Sequence, residues 1–342
     1  MKNLKLLTAA SLLLFVMTLH GAPTLDIYWI DVEGGGGTLI VTPAKEAVLI
    51  DSGWPTGSAE RIYRMATNAG VSKIDYLITT HFHVDHFGGA AALSKLMPIG
   101  TVLDNGFPDK FNEGTPPEAA EAYHDFKAEK RLVIEPRQLV PLKQTKGTGF
   151  LELRCVGARK TFPRLAKLGK TNPFCGTGKQ MEVDTTDNAN SIVLALQFGS
   201  FKFFDGGDLT WNMEENLVCP VNPIGAVDVY QTDHHGMDIS NNPLLIAALT
   251  PTVSVMNNGA NKGGSIGTLE HLRGVQSIQT MYQVHKDLRG VKEFNTEDKY
   301  IANLEEKCAG NFIKCSVDGY GKRYVMSIPG TGFSQGYKAV GR

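Results

Sequence analysis

The sequence predicts one large domain of the α/β class. Short β-prone runs alternate with segments that carry helix-capping signals, a pattern typical of mixed α/β proteins. The chain has 342 residues, which is enough to bury a large core in one domain. An opening β-meander is predicted from three strand-like runs joined by turn residues, at 25–30, 38–42 and 47–50.

Two helices are predicted from the signals at their ends. Ser58 as N-cap and Gly70 as a stop signal bound a helix over residues 58–69. The run Thr115-Pro116-Pro117 supplies a capping residue and a proline for the first turn, so we expect a helix from there through Lys130.

Two hairpins and an insertion follow from turn signals and segment length. The β-prone runs 192–198 and 201–204 flank Gly199-Ser200, which favours a two-residue hairpin turn. A second pair of runs surrounds Asp318-Gly319 and predicts a C-terminal β-hairpin. The stretch from about 105 to 185 is longer than a minimal connection, and we expect it to be an insertion in the domain.

The run His81-Phe82-His83-Val84-Asp85-His86 places four metal-ligating side chains within six residues. A β-prone segment, 76–80, precedes it, and Gly88 to Leu93 can open a helix, so a strand-to-helix turn would present the ligands together. Imidazole suits zinc, copper, iron and nickel, and a carboxylate extends the choice to manganese. A polar loop with purely structural histidines is the alternative, and it accounts poorly for four ligands.

This run resembles the His-x-His-x-Asp-His hallmark of the metallo-β-lactamase superfamily, and further matches follow in the right order. Residues 48–53 are similar to the strand that ends in Asp-x-Gly, where Asp51 would orient the metal loop. Residues 203–208 resemble the strand and Gly-Asp that supply a metal-bridging carboxylate, here Asp208. Residues 227–236 resemble the last motif, which gives the final histidine ligand. The resemblance spans roughly residues 24 to 290 and implies an αββα four-layer sandwich.

Within the superfamily, the chain most resembles the hydrolase domain of bacterial DNA-uptake competence proteins. Asn188-Ala189-Asn190-Ser191 agrees with the Asn-x-x-Ser of those domains. Two other motifs depart from the pattern, because Gly36 stands where they carry an acidic residue and Met237 where they carry serine. The departures leave open whether the substrate is shared.

The resemblance implies two divalent transition-metal ions, zinc or alternatively manganese. Asp85 and Asp208 would be the catalytic carboxylates, and two cations could hold a hydroxide at neutral pH and aim it at a carbonyl or phosphoryl centre. The implied ligands are His81 and His83 for the first ion, Asp85, His86 and His234 for the second, and Asp208 as the bridge.

Two features of this ligand set remain open in the sequence. Most dinuclear members supply a third histidine to the first ion, and here the nearest donors are the oxygens of Asp187 and Asn188, which would weaken the selectivity for zinc and admit manganese. Alternatively the first site is weak or empty. His235 is the alternative to His234, because neighbours on an extended chain point to different sides; the sequence analysis favours His234.

A basic segment offers candidates for substrate binding. Seven lysines and arginines and no acidic residue lie between Leu153 and Met181. Such a segment could hold phosphates over the metals, or it could be a solvated loop. His285 is a further candidate, either lining the pocket or serving a structural role. The candidates within the basic segment are Arg159, Lys160, Arg164 and Lys167.

The N-terminus predicts export. Residues 1–5 form a basic region and residues 6–19 an apolar one, so residues 1–22 read as a signal peptide, with residues 23–342 as the mature domain. We expect a periplasmic or secreted protein without stable membrane association after cleavage, and an uncleaved anchor is the alternative. In an oxidising compartment, the five cysteines suggest Cys308–Cys315 and Cys155–Cys175 pairs.

Together these features predict an exported metal-dependent hydrolase that uses a metal-bound hydroxide. The substrate would be a small molecule or a phosphodiester, nucleic acid included. With a phosphodiester substrate, the protein would be a phosphodiesterase or nuclease. Hydrolysis of a lactone, thioester or β-lactam is the first alternative, and a non-catalytic metal-binding protein is the second. The net charge of −1 gives no global attraction to nucleic acid, so any such preference must be local.

Overall fold

A computed structural model describes residues 22–108, 111, 115–163, 170–290 and 294–341. Two β-sheets pack face to face, and helices cover the outer face of each. The αββα four-layer sandwich is therefore confirmed.

The strands and helices follow one another in frequent alternation. The strands are β1 (Leu25–Trp29), β2 (Thr38–Val41), β3 (Ala47–Ile50), β4 (Ile74–Ile78), β5 (Ile99–Asp104), β6 (Lys130–Val133), β7 (Leu151–Gly157), β8 (Lys170–Thr171), β9 (Val193–Phe198), β10 (Phe201–Asp205), β11 (Val221–Asn222), β12 (Val229–Gln231), β13 (Val253–Met256), β14 (Thr280–His285), β15 (Ile301–Asn303), β16 (Ile313–Val317), β17 (Arg323–Ile328) and β18 (Phe333–Lys338). The helices are α1 (Ser58–Asn68), α2 (Val84–Phe87), α3 (Ala90–Leu96), α4 (Pro117–Asp125), α5 (Trp211–Val218), α6 (Pro243–Leu249) and α7 (Ile266–Arg273).

The order of the strands brings several loops to one edge of the sandwich. The nine-stranded sheet runs β18-β17-β16-β1-β2-β3-β4-β5-β6, and the seven-stranded sheet runs β15-β14-β13-β12-β10-β9-β7. Strand β3 is parallel to β4, and β10 is parallel to β12, which is parallel to β13. Because the carboxyl ends of parallel strands meet at one edge, the loops that follow these strands lie together. Asp51, the run His81 to His86, Asp208 and the pair His234-His235 stand in those loops.

Side-chain alternation along the strands builds the separate core layers. On β1, Ile27 and Trp29 lie in the core between the sheets, whereas Tyr28 lies in the layer under α1 and α3. On β10, Phe203 packs edge-on against Trp29 with ring centroids 5.7 Å apart. Its neighbour Phe204 points the other way, into the layer under α5 to α7. The period of two in a strand thus divides one apolar run between two cores.

One predicted helix ends earlier than expected. The helix predicted through Lys130 is wrong, because α4 ends at Asp125 and Lys130 begins β6. The guanidinium of Arg131 donates to the carbonyls of Tyr123 and Phe126, which satisfies acceptors at the end of the helix. The chain then pairs with β5 as a strand.

The predicted hairpins both form, and the C-terminal one is extended. Strands β9 and β10 pair antiparallel, as do β16 and β17. Strand β18 pairs with β17 and adds a third strand to the C-terminal hairpin. Within the stretch 105–185, β6 and β7 are edge strands of the two sheets, so part of it belongs to the sandwich.

The disulfide pairing differs from both expected pairs. Cys175 bonds to Cys219, 44 residues later, with the Cα atoms 5.7 Å apart. Cys155 and Cys315 are buried in the core between the sheets, and Cys308 is half-buried; in the described part of the chain these three are free. Sequence proximity suggested the expected pairs, whereas the fold brings together two loops on the side of α5.

No helix among the described residues is long and apolar enough to cross a membrane. The predicted signal peptide, 1–22, lies almost entirely outside those residues, as only Ala22 is described.

Candidate metal centre

The loops that follow β3 and β4 are hydrogen-bonded to each other below the site. The backbone N–H of Asp51 donates to the carbonyl of Ile78 at 2.8 Å, and that of Ser52 donates to the carbonyl of His86 at 2.6 Å. Asp51 adopts a positive φ of 60°, a strained conformation for an aspartate, which these contacts hold in place. The fold therefore fixes the Asp51 side chain beside the His81 to His86 run.

The predicted ligands gather into two donor sets that share Asp208. In each set, one donor atom from every residue lies within 4.8 Å of the others. All members are buried except His83, which is half-buried. The sets are Asp85, His86, Asp208 and His235, and His81, His83 and Asp208.

Oδ2 of Asp208 is surrounded by imidazole nitrogens. It lies 3.2 Å from Nε2 of His86, 3.4 Å from Nε2 of both His234 and His235, and 3.8 Å from Nε2 of His81. Burial would raise the pKa of Asp208, but His235, His86 and His234 hold it well below its usual range. The carboxylate is thus ionised and placed to bridge two cations.

Two of the four histidines around Asp208, His81 and His86, differ in protonation. Burial holds the pKa of His81 well below its usual value, so its imidazole is neutral, the form that binds metals. Burial would also lower the pKa of His86, but the carboxylates of Asp208, Asp51 and Asp85 raise it well above the usual value. A metal would have to displace that proton from His86.

Asp51 orients His86 from below. Its Oδ2 accepts from Nδ1 of His86 at 2.7 Å, and Thr80 donates to both Asp51 oxygens at 2.8 Å through its backbone N–H and its hydroxyl. A Cβ at Gly36 would lie 2.7 Å from Oδ2 of Asp51 and from Nδ1 of His86. Gly36 is one of the departures from the competence pattern. Because it has no Cβ, it leaves room for the Asp51–His86 pair.

The structure brings His235 into the second donor set, where the sequence analysis favoured His234. Nε2 of His235 lies 3.2 Å from Oδ2 of Asp85 and 3.2 Å from Nε2 of His86. His234 contacts the hydroxyl of Ser240 through Nδ1 at 3.2 Å, and its Nε2 lies 3.4 Å from Oδ2 of Asp208. Both histidines have positive φ, 51° and 53°, so the alternation rule for extended chains does not apply to them.

Asn188 lies in a turn that contacts the metal loop. The turn 187–190 docks on the metal loop, where Oδ2 of Asp187 accepts from the N–H of Phe82 at 2.6 Å. Oδ1 of Asp187 accepts from Asn190 at 2.8 Å, so both of its oxygens are occupied. Oδ1 of Asn188 is buried and has no hydrogen-bond partner among the described residues. A buried acceptor without a partner fits a metal ligand.

The residues present therefore fit two divalent cations. The second set offers two imidazoles and two carboxylates, a donor set that suits zinc or manganese. The first set offers two imidazoles and the shared carboxylate, with the Asn188 oxygen as the candidate for a further ligand.

The candidate substrate-binding residues are not members of the two donor sets. Arg159 pairs with Glu135 at 2.6 Å and donates to Asn105 at 3.2 Å, so its guanidinium is occupied. Lys160 is exposed, and Arg164 and Lys167 lie outside the described residues. His285 is buried and lies 2.8 Å from Asp31, which fits the structural alternative.

Lys262 is the residue near the site that the sequence analysis missed. Its Nζ contacts Oδ2 of Asp85. It stands alone in a glycine-rich loop after β13, and no motif in the sequence marks it. Lys262 and Asp85 are far apart in the sequence, and the fold brings them into contact.

Comparisons with known proteins agree with this architecture. Residues 33–142 match the model of the metallo-beta-lactamase superfamily. Competence protein ComA of Neisseria gonorrhoeae is 26% identical over 226 residues, which are 66% of this chain and 26% of that protein. Recombination protein 2 of Haemophilus influenzae is 24% identical over 241 residues, 69% of this chain and 24% of that protein. The chain spans about a quarter of the length of these curated relatives.

A shorter match and two solved structures add to these. A metal-dependent hydrolase of Cupriavidus metallidurans is 28% identical over 80 residues, 23% of this chain and 26% of that protein. CmlA, a diiron β-hydroxylase from Streptomyces venezuelae, has 16% identity and a TM-score of 0.38 over 68% of this chain and 44% of that one. A diphosphatase of the PhnP family has 13% identity and a TM-score of 0.39 over 75% and 94%. Nothing about function follows from likenesses at these two TM-scores.

The family resemblance read from the four motifs is thereby confirmed, including the similarity to competence proteins. The chain is similar to proteins of the metallo-β-lactamase superfamily, among them a metal-dependent hydrolase.

Proposed function

We propose that this protein is an exported phosphodiesterase that uses two divalent metal ions, zinc or manganese, and accepts nucleic acid as substrate. The observation that carries the proposal is the position of Asp208. Its Oδ2 lies within 3.8 Å of four imidazole Nε2 atoms and belongs to both donor sets. A carboxylate so placed can hold two cations side by side.

Each residue of the centre has a separate task in this chemistry. Bound divalent cations would lower the pKa of a shared water molecule and polarise the group under attack. Asp208 would contribute a ligand to both ions and offset part of their positive charge. His81 supplies a neutral imidazole, and Asp51 keeps His86 turned toward the centre. Asn188 offers a neutral oxygen rather than a third imidazole, which favours manganese at the first position.

A phosphodiester suits this centre better than a lactone or a β-lactam. Two neighbouring cations can stabilise both the attacking and the leaving oxygen of an in-line displacement at phosphorus. Two of the similar proteins are named for competence and for recombination, and recombination acts on nucleic acid. These names support a phosphodiester substrate for this chain.

Export is supported by two features. Residues 1–19 combine a basic start with an apolar run, as in a signal peptide. The bond between Cys175 and Cys219 suits an oxidising compartment, since disulfides are rare where thiols are kept reduced. We expect N-terminal sequencing of the secreted or periplasmic protein to begin near Pro23; recovery of the intact chain from the cytoplasm would contradict export.

A substrate panel tests the activity. Metal-reconstituted protein is assayed on bis-p-nitrophenyl phosphate, single-stranded DNA, a lactone, a thioester and a chromogenic β-lactam. We expect turnover of the first two, loss of turnover with a chelator, and recovery with zinc or manganese. Turnover of the lactone, thioester or β-lactam alone would instead indicate a hydrolase of small carbonyl substrates. No turnover of any substrate by metal-loaded protein would favour the non-catalytic alternative.

A further inference from the structure

The loop that carries Lys262 is fixed to the metal centre by its backbone. The N–H of Gly264 donates to the carbonyl of His235 at 2.9 Å, and the N–H of Ser265 donates to the carbonyl of Gly236 at 2.8 Å. Gly263 has a φ of 76°, and a Cβ there would collide with the carbonyl of His235. The glycine lets the loop approach the histidine turn closely, so the fold determines where Lys262 lies.

The Lys262 ammonium lies at the rim of the second donor set. Its Nζ contacts Oδ2 of Asp85 and lies 5.0 Å from the centroid of the Trp54 ring. The Lys262 side chain is 30% exposed, whereas that of Asp85 is 8% exposed. The cation therefore stands between solvent and the buried ligands, held on one side by an indole face.

The contact with Asp85 is one that a bound metal would replace. Oδ2 of Asp85 also lies 3.2 Å from Nε2 of His235 and 3.5 Å from Nε2 of His86, so it is the oxygen turned toward the other ligands. Once that oxygen binds a divalent cation, its negative charge is largely neutralised. Lys262 then needs another anion, because a partly desolvated ammonium beside a metal is unfavourable alone.

The charge of the assembled centre also calls for an anion. Two divalent cations bring four positive charges, and Asp85 and Asp208 bring two negative ones, with Asp51 adding a third from below. Lys262 adds a positive charge on the solvent side. A centre with surplus positive charge at its mouth attracts negatively charged substrates over neutral ones.

We propose that Lys262 is the substrate-specificity residue of this site: held against Trp54, its ammonium binds a non-bridging oxygen of an anionic phosphoryl group beside the metals. This inference rests on the proposed phosphodiesterase function and deepens it, since it assigns the charged oxygen of the substrate to one side chain. The competing explanation is that Lys262 only neutralises Asp85 before the metal binds.

Binding of inorganic phosphate separates the two explanations without relying on turnover. Metal-loaded wild type, Lys262→Met and Lys262→Arg are compared by equilibrium dialysis with phosphate, and bound metal is measured in each. We expect Lys262→Met to weaken phosphate binding by about tenfold or more, the size of one charged hydrogen bond, with two ions still bound. Lys262→Arg keeps the charge, so its affinity for phosphate should stay within about threefold of the wild-type affinity.

Lys299 supplies a matched control. Its Nζ lies 2.9 Å from Glu297 and 4.7 Å from the Tyr300 ring centroid, so it also has one carboxylate and one aromatic partner. Lys299→Met should leave phosphate binding and metal content unchanged. Trp54→Leu, which removes the indole and keeps the ammonium, should weaken phosphate binding by less than Lys262→Met does.

Kinetics with substrates of different charge complete the test. Lys262→Met should raise KM for the monoanion bis-p-nitrophenyl phosphate by about tenfold. The same variant should leave KM for a neutral phosphotriester within about threefold of the wild-type value. Unchanged phosphate binding by fully metal-loaded Lys262→Met would overturn the inference, as would tighter metal binding as the sole effect. If wild type cleaves no phosphodiester, the proposed function fails, and the phosphate measurement still decides the role of Lys262.

Discussion

Asp51 and His86 form a buried pair in which Oδ2 of the carboxylate lies 2.7 Å from Nδ1 of the ring. This contact leaves Nε2 of His86 facing Oδ2 of Asp208 at 3.2 Å. Because Thr80 also donates twice to Asp51, the ring orientation is set by hydrogen bonds that involve no metal. Such outer contacts fix the direction and basicity of a ligand.

Replacing Asp51 by asparagine should weaken metal binding without unfolding the protein. Asp51→Asn keeps the shape of the side chain and removes the charge that holds His86, so we expect about a tenfold to hundredfold loss of affinity at the second site. Metal titration with a competing chelator measures the loss. Asp104, a buried carboxylate at the end of β5 that accepts from Tyr123, is the control, and Asp104→Asn should retain wild-type affinity.

Removing the shared carboxylate should affect both ions. We expect Asp208→Ala to release metal from both sites and to lower turnover by orders of magnitude, because both donor sets include this residue. Elemental analysis of the folded variant gives the number of ions per chain. Asp205→Asn, three residues earlier, should keep both ions. Wild-type metal content in Asp208→Ala would assign the bridge to another residue.

Individual strands could be predicted from the sequence because their signals are local, whereas the αββα arrangement was implied by the resemblance of the ordered motifs. Short β-prone runs and turn residues mark β1 to β3 and β9 to β10, and each strand places its side chains on two faces by geometry alone. The positions of the metal motifs could likewise be predicted, because each motif follows the end of a strand. The end of α4 was not predicted, since it depends on Arg131 contacting carbonyls through the fold.

The parts of the site that were not predicted depend on backbone conformation and on long-range contacts. His234 and His235 cannot be distinguished by alternation, because both have positive φ. Lys262 meets Asp85 across 177 positions of the chain, and no local pattern encodes that approach. The Cys175–Cys219 bond likewise joins two separate loops.

The two neighbouring histidines should behave differently on substitution. His235→Ala removes a nitrogen that lies 3.2 Å from Asp85, so we expect loss of the ion at the second set. His234→Ala leaves all the members of both sets in place and should retain metal. Calorimetric titration of each apoprotein with zinc counts the sites. Loss of metal in His234→Ala with full retention in His235→Ala would restore the ligand assignment made from the sequence.

Asn188 should determine the occupancy and selectivity of the first site. Asn188→Leu removes the oxygen that has no hydrogen-bond partner in the described part of the chain, and we expect that variant to bind one ion per chain tightly instead of two. Asn188→His adds an imidazole and should shift preference from manganese toward zinc. Competition between the two metals, followed by elemental analysis, measures both effects. Two tightly bound ions in Asn188→Leu would show that another donor completes the first site.

The protons on Asp205 and His86 should each stabilise the metal-free protein less as the pH rises. Burial raises the pKa of Asp205 to about 7, and the carboxylates of Asp208, Asp51 and Asp85 overcome burial to raise that of His86. Each group binds its proton more tightly in the folded state. The stabilisation is therefore complete below the unfolded pKa of each group, about 3.9 for aspartate and 6.5 for histidine, and is lost as the pH rises through the folded value.

Urea unfolding of chelator-treated protein between pH 5 and pH 8 measures this dependence. We expect the contribution of each of these two protons to fall with pH, by at most roughly 1.4 kcal/mol per pH unit. Burial lowers the pKa values of His81, His83 and His234, and these histidines act in the opposite sense below their unfolded pKa of about 6.5. Asp205→Asn removes one of those protons and should flatten the slope between pH 5 and pH 7. Metal should reverse the trend, because it displaces the His86 proton and binds more tightly as the pH rises. An Asp205→Asn variant with the same pH slope as the wild type between pH 5 and pH 7 would contradict the protonation state assigned to Asp205.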